Sequence, residues 1–467
     1  MADRRRRARP ATTRQQRRRP DPARLAAFEV ARAVTAEDAY TNLVLPHALR
    51  RRGLTGRDAA FATELVAGSQ RGRGTYDAIL ANCLDRPLAK VDPPVLDVLR
   101  LGTHQLLGMR VPAHAALSSS VDLARTEVGA STSGFVNAVL RRVSQHDLAE
   151  WVRRIAPDPD TDPHGFAAIE QSHPRWIVDE LAAALAATGA EDELTALLAA
   201  DNQPPRVVLV ARPGLADVAE LPGERTPWSP YAVRLDGGDP ADVPAVSEGR
   251  AGVQDEGSQL VAIALADAAL AGRDERWLDL CAGPGGKAAL LAALAADRGS
   301  ALLASERQPH RAALVKDALR SAPGAAAVLV ADGRRPPWRP GWFDRILVDA
   351  PCTGLGALRR RPEARWRRSP ADLASLVPLQ CDLLDSALAS IRPGGVVCYA
   401  TCSPALAETR EVVVAALESH PETDLEDASA LLRHVPDSAG PLPGTVQLWP
   451  HRHGTDAMFV ALLRRRG

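Results

Sequence analysis

Residues 278–290 read LDLCAGPGGKAAL. An apolar strand-like run enters a turn with three glycines and a proline, and KAALLAALAA then continues with the apolar density of a buried helix. Glycines let the backbone approach a ligand closely, and the N-terminus of the following helix favours polar or anionic groups. The spacing is neither G-x-G-x-x-G nor the phosphate-loop G-K-[ST], because Ala288 follows Lys287. Turns of this kind also serve purely structural ends, so the meaning of this one depends on what surrounds it.

Downstream, strand and helix patterns alternate. ALLASE predicts a second strand, PHRAALVKDALRS a helix, AAAVLVAD a third strand and DRILVDAP a fourth. A long helix is expected over ADLASLVPLQCDLLDSALASI, a fifth strand over GGVVCYATCS and a helix over ETREVVVAALESH. QLWP and AMFVALLRR close the chain as an antiparallel pair at one edge. Such alternation implies an α/β core with a mostly parallel, doubly wound sheet over 253–467.

Upstream the pattern changes. Residues 165–252 begin helical and then carry two short strands, PPRVVLVARP and YAVRLDG, among dense Pro and Gly, which suggests a small α+β segment. The linker APDPDTDPHG precedes it. Over 22–155 apolar residues recur at three- and four-residue spacing without an alternating strand, so an all-α domain is expected. Residues 1–21 are Arg-rich and nearly devoid of hydrophobes; a disordered tail is expected, either an RNA-contacting arm or a solvated end.

Formal net charge is zero across 467 residues, so overall charge announces no nucleic-acid partner. Almost every basic residue is Arg, and Lys occurs only at 90, 287 and 316. Only clusters of Arg therefore carry meaning, and Lys287 inside the glycine turn stands out. Six cysteines without a C-x-x-C pair suggest neither a disulfide framework nor a metal site, and point to a reducing, cytoplasmic setting. The chain shows no apolar run of about 18 residues, and no apolar stretch follows the basic start, so neither a membrane span nor a secretory signal is expected. A monomer is expected.

Around the turn, the candidate cofactor residues are Cys281, Ala282, Gly283, Pro284, Gly285, Gly286 and Lys287. Glu306 ends the second strand about twenty residues on, where an acidic side chain binds ribose hydroxyls. Asp332 ends the third strand, where an adenine amine could be met; an ordinary turn Asp before Gly333 is the plainer reading. DAPCTGLG, 349–356, and ATCSP, 400–404, follow the fourth and fifth strands, and ligands of open α/β sheets bind at that end. Asp349, Cys352 and Cys402 should converge there. Buried cysteines are usually inert, which fits Cys83, Cys381 and Cys398 but not two cysteines in turns beyond strand ends. RRRPEARWRR, 359–368, offers Arg359, Arg360, Arg361, Arg365, Trp366 and Arg367 as a phosphate clamp with a stacking ring; a solvated charge run is the alternative.

These groups suit one difficult reaction. Cytosine C5 is a poor nucleophile. A thiolate adding to C6 makes C5 enamine-like and able to take a methyl from a sulfonium. A carboxylic acid such as Asp349 at N3 assists the addition, and a second cysteine can assist the later elimination.

CAGPGGK, DAPCTGLG and YATCS, in this order and spacing, resemble the motifs of the ribosomal small-subunit RNA (cytosine-5)-methyltransferase B family, of Nop2/Sun/Fmu type. VQDEGSQL (253–260) resembles the segment that precedes its catalytic core, HPRWIVDEL (173–181) the entry to its small subdomain, and GFVNAVLRRV (134–143) the end of its NusB-like helical domain. The resemblance covers about 22–467. It implies a Rossmann-like class I methyltransferase core of seven strands, a NusB-like RNA-binding domain, and S-adenosyl-L-methionine as cofactor, released as S-adenosyl-L-homocysteine. It also implies small-subunit ribosomal RNA as partner, with no metal and no membrane. Cys402 would then be the nucleophile and Cys352 the residue promoting release. The loop 281–287, Glu306, Asp332 and Asp349 would bind the cofactor, with Asp349 also facing the base. Two departures concern substrate positioning. After TCS the chain has PALAETR, keeping Glu408 and Glu411 of an acidic pair with Asn, and the strand RVVLVAR lacks the Asn of an Arg-x-Asn.

The leading expectation is cytosine-5 methylation of 16S ribosomal RNA, with transfer RNA or another ribosomal site as the near alternative. A binding protein with an inactive methyltransferase half is disfavoured by retention of both cysteines, Asp349 and the glycine turn. A nucleotide-dependent oxidoreductase is disfavoured by the glycine spacing.

Overall fold

The computed structural model describes residues 20–467. The expected tail over 1–21 thus lies outside the described residues except at its end, where Asp21 accepts hydrogen bonds from the amides of Ala23 and Arg24 and caps the first helix. The chain divides after Ile155 into two compact units.

The first unit is helical throughout. Helices span Pro22–Ala36, Thr41–Arg51, Gly56–Arg71, Arg73–Cys83, Pro93–Leu107, Ala113–Leu123, Ser133–Val143 and Leu148–Ile155. Pro93–Leu107 is the central one: Val95, Val98, Leu99 and Leu101 are buried, and so are Asp97, Arg100 and Gln105 on its other faces. Buried charges need partners. Arg100 therefore grips both oxygens of Asp77 at 2.7 Å, and Arg32 reaches Asp97 at 2.7 Å.

The second unit begins with helices Pro163–Glu170, Arg175–Ala186 and Leu194–Asp201. A small antiparallel sheet follows, of strands β1 (Val208–Ala211), β2 (Glu224–Arg225), β3 (Ala232–Arg234) and β4 (Ala251–Val253), in the order β2-β3-β1-β4. Only β1 and β3 were expected. The boundary expected between 252 and 253 falls inside β4, which pairs Val210 with Gly252 and belongs to the small sheet. A three-residue strand with Gly at its centre carries no alternation to read.

The main sheet contains β5 (Arg276–Asp279), β6 (Ala301–Glu306), β7 (Ala326–Val330), β8 (Phe343–Asp349), β9 (Ile391–Thr401), β10 (Thr423–Glu426), β11 (Val446–Gln447) and β12 (Phe459–Arg465). Its order is β10-β12-β9-β8-β5-β6-β7, with β11 also on β12. Strands β5 to β9 run parallel, and β10, β11 and β12 are antiparallel additions at one edge. The Rossmann-like core is thus present, with β11 as a short extra beyond seven strands. β10 was not expected, because TDLE is a polar edge strand without a hydrophobic face.

Helices cover both faces, so the inner strands are apolar on both sides. Leu347, Cys398, Ala400 and Val460 face one layer with Leu260, Leu290 and Leu291 of helices Glu256–Asp267 and Gly286–Ala296. Ile346, Val348, Tyr399 and Phe459 face the other, with Leu383, Leu384 and Val412 of helices Pro370–Ser390 and Arg410–Ser419. From β5 the chain steps outward to β6 and β7, then returns to β8 on the other side of β5. That reversal opens a crevice beyond the carboxyl ends of β5 and β8. Among the described residues no helix is long and apolar enough to cross a membrane.

Candidate active site

The glycine turn sits at that crevice. Gly285 has φ +112°, a left-handed conformation, and a Cβ there would lie 2.6 Å from the Ala318 Cβ. A Cβ on Gly283 would lie 2.2 Å from Glu306 Oε2. The turn is pinned to β6 by Ala282 N to Ser305 O at 2.9 Å and Gly283 N to Glu306 Oε2 at 3.1 Å. Arg311 donates to Gly283 O at 2.6 Å. Glu306 also accepts from the Gln308 amide at 2.8 Å, so each carboxylate oxygen holds one backbone donor and keeps a lone pair for a ligand hydroxyl. Gln254, 7% exposed, sets its side chain against Gly286, and neither amide atom has a hydrogen-bond partner among the described residues. A cradle closed to a Cβ at Gly283 and Gly285, a strand-end carboxylate and an orphaned buried amide together fit a nucleoside bearing a polar tail.

Asp332 lies two residues past β7, at the same end of the sheet as Glu306. Its carboxylate is gripped by Arg334 at 2.7 and 3.1 Å, and that bond chiefly holds its pKa down at about 2.

Beside the turn, Lys287 Nζ meets Asp349 Oδ2 at 2.9 Å and Ser258 Oγ at 3.3 Å. Burial works against the ammonium, yet the Asp349 charge and bond raise its pKa above the ordinary lysine value. Asp279, at the end of β5, is fully buried; burial, then the charge of Asp349, pushes its carboxyl up to about 8. Burial likewise raises the Cys281 thiol.

Asp349 pairs with Ala400 across β8 and β9, which brings the two cysteine turns together. Cys352 Sγ and Cys402 Sγ are 3.4 Å apart. The two thiols differ in character. Cys402 is lowered, chiefly by its hydrogen bond with Cys352 and further by Lys287, against burial and the charge of Asp349. Cys352 is raised, by that same bond, by burial and by nearby negative charge. A lowered thiol is the better nucleophile at neutral pH. Sequence reading placed Asp349, Cys352 and Cys402 together but missed Asp279 and Thr353, which lie within the quoted motifs, and Ser258 and Gln380, which reach the site through long-range contacts. All six cysteines are free, and among the described residues no group of three or more His, Cys, Asp or Glu gathers as metal ligands would.

The arginine run behaves differently from expectation. Arg365 is fully buried and donates to Ser172 O at 3.1 Å, Asn202 Oδ1 at 2.8 Å and Asp201 O at 2.8 Å. Arg360 clamps both Asp456 oxygens at 3.0 Å and also bonds Asp255; Arg359, 8% exposed, reaches Gly454 O and Asp456. These three guanidiniums are engaged inside the protein, which corrects the expectation that all six residues form a phosphate clamp. Arg361 is exposed, and Trp366 and Arg367 are half-buried. The partners of Arg359, Arg360 and Arg365, which include Asp201, Asp255 and Asp456, lie far away in sequence, so no local pattern could have separated the two groups.

Residues 268–464 match the family model described as 16S rRNA methyltransferase RsmB/F, and residues 21–145 match that of the NusB family. A Mycobacterium tuberculosis protein named as a methyltransferase is 55% identical over 96% of this chain and 98% of its own length. Ribosomal RNA small subunit methyltransferase B of Salmonella newport is 31% identical over 90% of this chain and 94% of its own. Among solved structures, PH0851 superposes with a TM-score of 0.80 at 23% identity, covering 95% of this chain and 99% of that one, which speaks for the fold. With the family models covering both units and relatives aligning along nearly the whole length, the chain belongs to the RsmB/F family of 16S rRNA methyltransferases, with a NusB-family domain at its N-terminal end.

Proposed function

We propose that this protein methylates C5 of a cytosine in 16S ribosomal RNA with S-adenosylmethionine as cofactor, through a covalent bond between Cys402 and C6 of the base. The observation that carries the reading is the pair of unlike thiols 3.4 Å apart beside the Lys287–Asp349 ion pair. The family membership supports the RNA methyltransferase reading, and the solved NSun6 from Pyrococcus horikoshii carries SFG, an S-adenosylmethionine analogue.

The glycine turn 281–287 and Glu306 would hold the cofactor, with Asp332 at the base end once it exchanges its bond to Arg334. When bound, S-adenosylmethionine supplies an electrophilic methyl on a sulfonium. The Cys402 thiolate gives its electron pair to C6. The C5=C6 pair then becomes C4=C5 while the C4=N3 pair goes to N3, where Asp349 in its protonated form would supply the proton. After transfer the C5 proton would pass to water in the cleft, its bonding pair would restore C5=C6, and the C6–S pair would return to the Cys402 sulfur, with the Cys352 S–H stabilising the departing thiolate. Arg361, Trp366 and Arg367 keep exposed surface beside the cysteine turn and would contact the RNA. The free thiols suit a cytoplasmic setting.

The test is methyl transfer from labelled S-adenosylmethionine to unmodified ribosomal RNA, free and within small subunits. Wild type should label cytosine C5, Cys402→Ala should be inactive, and Cys352→Ala should accumulate a protein–RNA adduct. Turnover by Cys402→Ala would overturn the nucleophile assignment.

A further inference from the structure

We propose that Glu408 is a positioning residue for the cysteine pair, holding the Cys352 thiol where its S–H donates to the Cys402 sulfur. The inference rests on the reading of Cys402 as nucleophile and gives Cys352 a task at the start of the reaction as well as at its end.

Glu408 lies six residues after Cys402, in the short 3-10 turn Leu406–Glu408, and is fully buried. Its carboxylate accepts from the amide of Thr353 at 2.8 Å, from the Thr353 hydroxyl, and from Gln380 Nε2 at 3.0 Å. Thr353 is the residue next to Cys352. One buried carboxylate thus ties the turn that carries Cys352 to the turn that carries Cys402. The surrounding contacts reinforce this tie. Thr353 Oγ1 and Ser403 Oγ are 3.1 Å apart, Gly356 N donates to Cys402 O at 2.9 Å, and Gln380 also donates to Pro351 O at 2.8 Å. Tyr399 donates its hydroxyl to Glu408 O at 2.8 Å. A buried, multiply bonded carboxylate is a stiff anchor, because breaking any one bond leaves a desolvated group unpaired.

The charges then sort the two sulfurs. Cys352 faces Cys402, Glu408 and Asp349, all of which disfavour a thiolate there. Cys402 faces Cys352, Asp349, Lys287 and Asp456, of which Lys287 is the cation. Glu180, on helix Arg175–Ala186, adds a further carboxylate near Glu408. Of two thiols in contact only one ionises readily, and this field selects Cys402, with Cys352 left as the donor.

The experiment is alkylation of the full chain by iodoacetamide across a pH series from about 6 to 10, with each cysteine peptide read by mass spectrometry. In wild type, Cys402 should react at lower pH than Cys352. Glu408→Gln removes the charge and sets an amide NH2 where a carboxylate oxygen accepts, at Oε2 against the Thr353 hydroxyl, which loosens the Cys352 turn. Its Cys402 rate at neutral pH should fall about threefold to tenfold, with the midpoint moving up. Cys352→Ala should produce the same rise, and the double variant no more than Cys352→Ala alone, because both changes remove one interaction. Glu408→Asp, which keeps the charge, should recover part of the wild-type profile. Should Glu408→Gln fail to fold by circular dichroism, Thr353→Val removes one donor at nearly constant shape and should shift the profile in the same direction. An unchanged Cys402 profile in a folded variant, or full additivity in the double variant, would overturn the proposal. Alkylation needs neither RNA nor cofactor, so this outcome stands apart from any failure of methyl transfer.

Discussion

Lys287 and Asp349 form a 2.9 Å ion pair across the crevice where the strand order reverses, Lys287 from the start of helix Gly286–Ala296 and Asp349 from the end of β8. The pair joins the candidate cofactor cradle to the cysteine turns. Burial, then the charge of Asp349, raises nearby Asp279 to about 8, and Lys287 is the cation that acts against that rise. Lys287→Met should therefore cost about 1–3 kcal/mol in urea unfolding, since it strands a partly buried carboxylate. It should also lower methyl transfer, because Cys402 loses its neighbouring cation.

Gly283→Ala tests the cradle directly. The new Cβ would meet Glu306 Oε2 at 2.2 Å, so the carboxylate must move. Calorimetric titration with S-adenosylhomocysteine should show binding weakened about tenfold or more, because a hydrogen-bonded charged contact contributes about 1.5–3 kcal/mol. Unaltered affinity would remove Glu306 from the cofactor site.

Arg365 and Arg361 should separate cleanly. Arg365→Ala leaves the Ser172 and Asp201 carbonyls and Asn202 without their donor, and should destabilise the protein by about 2–4 kcal/mol in urea unfolding. Arg361→Ala, at an exposed position, should cost less stability than Arg365→Ala. In RNA binding by filter retention it should weaken affinity and reduce the salt slope by about one.

His173 should make stability pH-dependent. It is fully buried between Gln171 O, 2.7 Å from Nδ1, and Asp201, 3.6 Å from Nε2, with Arg365 close by. Burial, then the Arg365 charge, lowers its pKa from 6.5 to about 4. The unfolded chain therefore takes up this proton first as the solution is acidified. The stability associated with neutral His173 is complete above pH 6.5 and is lost as pH falls toward about 4, by about 3 kcal/mol over the window. Asp456 works in the opposite sense: burial, then Asp255, raises it to about 6, so acidification through that range relieves it. Comparing His173→Asn with wild type in unfolding titrations isolates the histidine, and the variant should show the flatter decline. Parallel pH dependence in the two proteins would assign the effect elsewhere.

The parts legible in the sequence are those whose meaning is local. LDLCAGPGGK declares a strand, a turn and a helix within ten residues, and the steric demand at Gly285 belongs to the turn itself. ALLASE ends in its acid at the observed end of β6, and the turns holding Cys352 and Cys402 follow strands whose buried runs are plain. Such features follow from periodicity and backbone preference, which act over a few residues. β4 and β10 escaped because three or four residues without an apolar face carry no period.

What only the tertiary structure decided is which like residues do unlike things. Arg360 and Arg361 are neighbours in one charged run, yet Arg360 is locked onto Asp255 and Asp456 while Arg361 is exposed. Glu408 reads as the remainder of an acidic pair, and becomes an anchor because β8 and β9 lie side by side and bring Thr353 within 2.8 Å of it. Cys352 and Cys402 are both cysteines after strands, and their unlike acidities come first from the bond between them, then from burial and the charges of Asp349, Lys287 and Glu408, brought together from different segments of the chain. Burial and charge depend on distance in space, and a one-dimensional pattern records distance only along the chain.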